Sequence, residues 1–92
     1  MKSIMQDLED KRCYICGCTR NLELHHAMSG SNRKLSTVYG LLVWLCMDHH
    51  RGRIGVHSDI IMKERIEKDA QRAFEKRYGH TAWMAIFRKN YL

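Results

Sequence analysis

The sequence contains no proline, so no proline-rich linker or stiff polyproline segment separates folded units. No apolar run approaches the roughly eighteen residues a helix needs to cross a bilayer, and no membrane span is expected. Residues 1–11 carry Lys2, Asp7, Glu9 and Asp10 where a secretory signal would have its apolar centre, so the chain is read as cytoplasmic. Internal repeats and low-complexity tracts are missing too, which excludes repeat arrays and compositionally biased tails. What remains is a chain of 92 residues with 45% hydrophobic content, the length of one domain spanning 1–92.

A domain this small buries only about 60–65% of the surface its unfolded chain exposes, so its core alone gives thin stability and a staple is expected. Four cysteines and six histidines offer one. Where thiols stay reduced, a Cys-x-x-Cys pair binds metal or does redox chemistry more readily than it forms a structural disulfide. The net charge of +6 and pI near 9.4 favour a polyanionic partner, nucleic acid first, although charge alone decides little. Its placement says more. Residues 11–53 carry Lys11, Arg12, Arg20, Arg33, Lys34, Arg51 and Arg53 against only Glu23 and Asp48, and they hold every cysteine and most of the histidines. Further on, the signs interleave at Lys63, Glu64, Arg65, Glu67 and Lys68, the pattern of a solvated helix face.

Periodicity places the elements of an α+β fold. Met5 and Leu8 give residues 4–11 one apolar face and predict a short helix. Leu22-Glu23-Leu24-His25 alternates as a half-buried strand does, ending at the histidine pair. Residues 29–36, polar and basic, read as a loop. The apolar run 41–45 suits a buried strand, and Cys46 to His50 opens a helix that Gly52 and Gly55 soon interrupt. Ser58 or Asp59 can cap a long helix running to about Tyr78, with Met62, Ile66, Ala70, Ala73 and Phe74 on one face and Gly79 as its stop. Thr81 then caps a last helix presenting Trp83, Met84 and Phe87. Trp44 and Trp83, lying in apolar runs, read as core rather than as platforms for stacking bases. The long helix and its successor either cover the core or pair two chains as a homodimer, and core is favoured.

Two constellations carry chemistry. Cys13-x-x-Cys16 and Cys46-x-x-His49 each put two donors on one turn, and together they match a tetrahedral structural zinc site. Such sites contribute on the order of 10–16 kcal/mol of apparent binding energy, which would supply the staple. The competing readings are small apolar cysteines, or a redox pair, which lacks the βαβ surroundings that chemistry normally has. Cys18 also stands at ligand spacing and is treated as a spare thiol. The second constellation is what zinc leaves over: His25, His26, His50 and His57. Each taken singly reads as a satisfied polar residue, but four so placed suggest a site. On an unbroken helix His50 and His57 would lie about 10 Å apart, so sharing an ion requires the chain to fold back at Gly52 and Gly55. On a regular strand His25 and His26 point to opposite faces, so both serve one site only at a strand end or bulge.

Cys13-x-x-Cys16, Leu22-Glu23-Leu24-His25-His26, Leu45-Cys46-x-x-His49-His50 and Gly55-Val56-His57 resemble the zinc-stapled HNH nucleases, also called ββα-metal or His-Me finger nucleases. The likeness is to small phage-type members, among them phage recombination-enhancement nucleases, and it covers about residues 12–58; the helical part, about 58–90, is less diagnostic. The resemblance implies a ββα-metal fold with a zinc-stapled β-hairpin and C-terminal helices, His26 as general base, and His25, His50 and His57 as ligands of a catalytic divalent ion. It also implies a phage or prophage endonuclease cutting DNA by a single-metal mechanism to leave 5′-phosphate and 3′-hydroxyl ends. Mg²⁺, Mn²⁺ or another transition metal would serve, three imidazoles favouring the softer ions. Arg33, Lys34, Arg51 and Arg53 would neutralise backbone phosphates, or form an ordinary solvated surface. The family's middle Asn is replaced by Leu41, which leaves open how His26 is held, with Asn32 a possible substitute. The alternative is a non-catalytic zinc-stapled module that binds nucleic acid or a partner protein, and a third reading has the chain act within a phage recombination or packaging assembly.

Overall fold

The computed structural model describes residues 1–92. Two antiparallel strands form its sheet: β1 (Leu22–His26) and β2 (Leu42–Cys46), paired from Leu22 opposite Cys46 to His26 opposite Leu42. A single 3-10 turn (Gly30–Asn32) and α1 (Arg33–Tyr39) connect them. β2 runs directly into the one-turn α2 (Met47–His50), and a loop leads to α3 (Ile60–Tyr78) and α4 (His80–Phe87). The result is a small α+β fold, an antiparallel strand pair with C-terminal helices.

The apolar run that predicts the second strand is buried: Leu41, Leu42, Val43 and Leu45 are fully inside. Ile66, Ala70 and Phe74 from α3 and Trp83 and Phe87 from α4 complete the core, with the Trp83 and Phe87 rings stacked 4.0 Å apart. The two C-terminal helices thus cover the sheet within one chain, and Trp83 is a core residue. Asp59 caps α3, its carboxylate accepting from the Ile61 N–H at 3.0 Å. α3 stops at Gly79, whose φ of 89° most side chains resist.

Three expectations need correction. Residues 4–11 form turns and no helix. The outer edge of β2 presents unpaired backbone groups, and the N-terminal segment satisfies them. The Ile4 N–H donates to the Gly40 carbonyl at 2.8 Å, and the Ser3 hydroxyl sits between the Gly40 and Leu42 carbonyls. The Trp44 N–H donates to Gln6 Oε1 at 2.8 Å, and its indole N–H to the Leu8 carbonyl at 2.9 Å. Residues 29–36 are not a loop: they hold the 3-10 turn and the start of α1. The anchor is Ser36, fully buried, whose hydroxyl accepts from the Met28 N–H and donates to the Met28 carbonyl, both at 2.9 Å. Every other residue of α1 lies at least partly in solvent, so its composition imitates a loop. Last, α4 starts at His80 with Gly79 at its cap, and Thr81 lies within the helix.

Candidate functional site

The turn carrying Cys13 and Cys16 is closed by two 2.8 Å backbone bonds, Gly17 N–H to the Cys13 carbonyl and Cys13 N–H to the Cys18 carbonyl. Cys46 is the last residue of β2 and His49 lies three residues on, in α2, so the end of the strand pair meets this turn. Cys16 and Cys46 sulfurs stand 3.8 Å apart, and His49 Nδ1 is 3.3 Å from Cys46 Sγ and 3.8 Å from Cys13 Sγ. A tetrahedral zinc with bonds near 2.3 Å to sulfur has sulfur–sulfur edges of about 3.8 Å, so the four donors fit the ion. Burial works against ionising Cys13, but the N–H groups of Cys16, Cys46 and Ile15 outweigh it and bring the thiol down to about 6, ready to bind as thiolate. The four residues form a candidate metal site consistent with zinc. Cys18 is not among them: its thiol points to the Arg20 carbonyl at 3.8 Å. Within the cysteine turn, the Tyr14 hydroxyl donates to Asp69 at 2.9 Å and ties this end of the molecule to α3.

A second cluster lies at the far end of β1. His25, His50 and His57 bring one nitrogen each within 4.8 Å of one another. The loop after α2 makes this possible: the Val56 and His57 N–H groups donate back to the His49 and His50 carbonyls at 3.0 and 3.2 Å. Gly55 passes so close that a Cβ there would lie 2.8 Å from the His49 and His50 backbone, which no side chain tolerates. His57 Nε2 therefore sits 3.1 Å from His50 Nε2. That spacing falls between the roughly 2.9 Å and 3.4 Å edges expected of octahedral and tetrahedral ions bound by imidazole at about 2.0–2.1 Å. His50 Nδ1 lies 3.0 Å from Glu23 Oε1, and Glu23 also accepts from Arg51 at 3.0 and 2.7 Å. Burial, then the neighbouring His50, His57 and His26, drive His25 down to about 3, so it stays a neutral imidazole with a free lone pair. His57 is lowered in the same way, by burial and by His50.

His26 ends β1, and both it and His25 line one hollow of about 280 Å³ together with Ser29, Arg33, His50 and His57. Being neighbours at a strand end, they diverge and still face one space. Nε2 of His26 lies 3.0 Å from Thr37 Oγ1 on α1, and burial followed by the charge on Arg33 lowers its pKa. Against it lies a second hollow of about 290 Å³, lined by His26, Ser31, Arg33, Lys34 and Thr37 with no apolar residue. Arg33 belongs to both hollows and Lys34 to the second. Arg51 is held by Glu23, and Arg53 is exposed on the loop after α2. A larger hollow along residues 1–9 contains none of the clustered cysteines or histidines.

Sequence reasoning missed two residues, Glu23 and Thr37. Glu23 was legible in principle, because a strand puts it on the face of His25, two residues on. Thr37 was not, because its segment reads as a loop. No family model matches the chain, and no curated protein or solved structure matches it either.

Proposed function

We propose that this chain is a metal-dependent endonuclease of the HNH, or ββα-metal, kind, hydrolysing phosphodiester bonds in DNA. One observation carries the reading: three histidines able to share an ion stand beside a fourth in a single hollow edged by arginine. β1, β2 and α2 would be the ββα unit, stapled by zinc on Cys13, Cys16, Cys46 and His49. A divalent ion on His25, His50 and His57, Mg²⁺, Mn²⁺ or a softer metal, would supply a Lewis acid for the charge developing on the phosphate and the departing 3′ oxygen.

The remaining work falls to the chain's own side chains. His26, kept neutral by its surroundings, takes a proton from the attacking water as general base. Arg33 and Lys34 neutralise backbone phosphates, a contact that gives affinity without base selection. The low pKa of His25 keeps protons from competing for the nitrogen that binds the ion.

The test is nicking of supercoiled plasmid and cutting of single-stranded DNA with added Mn²⁺ or Mg²⁺. His26→Ala is expected to lose about 10²- to 10⁴-fold in rate while DNA binding survives. Full cleavage by His26→Ala would remove its role as base, and wild-type protein inert with either ion would leave a non-catalytic nucleic-acid-binding module.

A further inference from the structure

What holds His26 is open in the sequence, where Leu41 stands in the place of the resembled family's middle Asn. Asn32 does not do it: its backbone carbonyl caps the Ser36 hydroxyl at 3.4 Å, and the partner of the His26 ring is Thr37. We infer that Thr37 is a positioning residue for His26, its hydroxyl oxygen accepting from Nε2–H and so leaving Nδ1 with the lone pair that takes the proton. The inference rests on the nuclease reading above, which requires a free lone pair on His26.

A neutral imidazole has one N–H and one lone pair, and a hydroxyl can donate or accept; were Thr37 to donate to Nε2, the ring's one lone pair would be taken, so a His26 that acts as base requires Thr37 to accept. Nε2 faces Thr37 Oγ1 at 3.0 Å, the only side-chain hydrogen bond the ring makes, and Nδ1 has no protein partner. The hydroxyl is well anchored relative to that ring. Ser36, the neighbour of Thr37, clamps both backbone groups of Met28, two residues beyond His26. Between them, the Ala27 N–H donates to the Leu41 carbonyl at 2.9 Å, just past the end of α1. Strand end, clamp and helix therefore close a short loop with the His26–Thr37 contact across it. Thr37 and Arg33 lie one helical turn apart and line the same hollow, so the hydroxyl that orients the base and the cation that meets phosphate share one face of α1.

Two measurements test this on full-length, zinc-loaded protein. In ¹⁵N-detected NMR of the histidine rings at alkaline pH, wild type is expected to show His26 as the Nε2–H tautomer, and Thr37→Val a mixture of both. In Mn²⁺-supported plasmid nicking, Thr37→Val should lose on the order of 10-fold in kcat, with KM and Mn²⁺ affinity within about twofold of wild type. Thr37→Ser, which keeps the hydroxyl, should restore both readouts. An Nδ1–H ring in wild type, an unchanged tautomer and rate in Thr37→Val, or a Thr37→Ser as slow as Thr37→Val would each overturn the inference. Wild-type protein with no nicking activity would overturn the nuclease reading instead, and the ring tautomer would still decide the role of Thr37.

Discussion

Glu23 Oε1 and His50 Nδ1 lie 3.0 Å apart, and this contact turns the opposite nitrogen of the same ring toward His57 Nε2, 3.1 Å away. A carboxylate behind a metal-binding imidazole fixes its tautomer and raises its basicity. The His50 contact, with help from Arg51, holds the Glu23 carboxyl below its ordinary value and outweighs a smaller opposing effect of desolvation.

Glu23→Gln should accordingly weaken Mn²⁺ at the histidine cluster by about 10- to 100-fold. Titration calorimetry on protein whose cysteine site is already filled with zinc measures this directly. Unchanged affinity would mean that Glu23 serves only to anchor Arg51.

The four-donor site makes a different prediction, about folding. Its sulfur and nitrogen spacings suit zinc, and a 92-residue chain has little core to spare. Elemental analysis should find one tightly held zinc per chain, and strong chelation should abolish the cooperative melt seen by circular dichroism. Cys46→Ser is expected to do the same without chelator. A zinc-free protein that melts cooperatively at the same temperature would remove the staple.

How much of this could be read from the sequence follows from what each pattern encodes. The second strand, the long helix with its Asp59 cap and the Cys/His pairs were legible because their signals are local: an apolar run, a cap, a two-residue spacer. The return of His57 onto His50 was half legible, since the two glycines permit a turn without saying where it leads. The N-terminal segment misled because Met5 and Leu8 suggest a helix, whereas the open edge of β2 recruits Ser3 and Gln6 from more than thirty-five residues away. α1 misled for a different reason: it is seven residues long, its one fully buried side chain is the polar Ser36, and its apolar anchors Leu35 and Tyr39 are only half-buried against the core. The partner of His26 was lost with it.

Glu67 gives a pH-dependent test away from both clusters. It is only 8% exposed on the inner side of α3 and makes no side-chain hydrogen bond, and burial raises its pKa against the opposing pull of Lys63 and Lys89. A carboxyl raised in the fold favours the neutral form, so its contribution is present below the ordinary carboxylate value and is lost as pH rises through the folded value. Glu67→Gln should therefore raise the melting temperature at pH 7 by roughly 1–3 °C, with the gain vanishing near pH 4. A destabilised variant at pH 7 would show that the lysines outweigh burial.

The basic residues around the hollows should not contribute equally to DNA binding. Arg33 lines both hollows and Lys34 the second, neither in a salt bridge, whereas the Arg51 guanidinium already holds the Glu23 carboxylate with two hydrogen bonds. Each phosphate neutralised adds about 0.9 to the slope of log affinity against log salt. Arg33→Ala and Lys34→Ala should each weaken binding across sequences and lower that slope by about 1, because they give up a phosphate contact. Arg51→Ala should change it much less, because its charge is largely satisfied within the protein. Fluorescence anisotropy of a labelled duplex over a KCl series, without divalent ions so that nothing is cut, separates the three. A slope that falls as far for Arg51→Ala as for Arg33→Ala would place Arg51 on the DNA and would require its pair with Glu23 to open on binding.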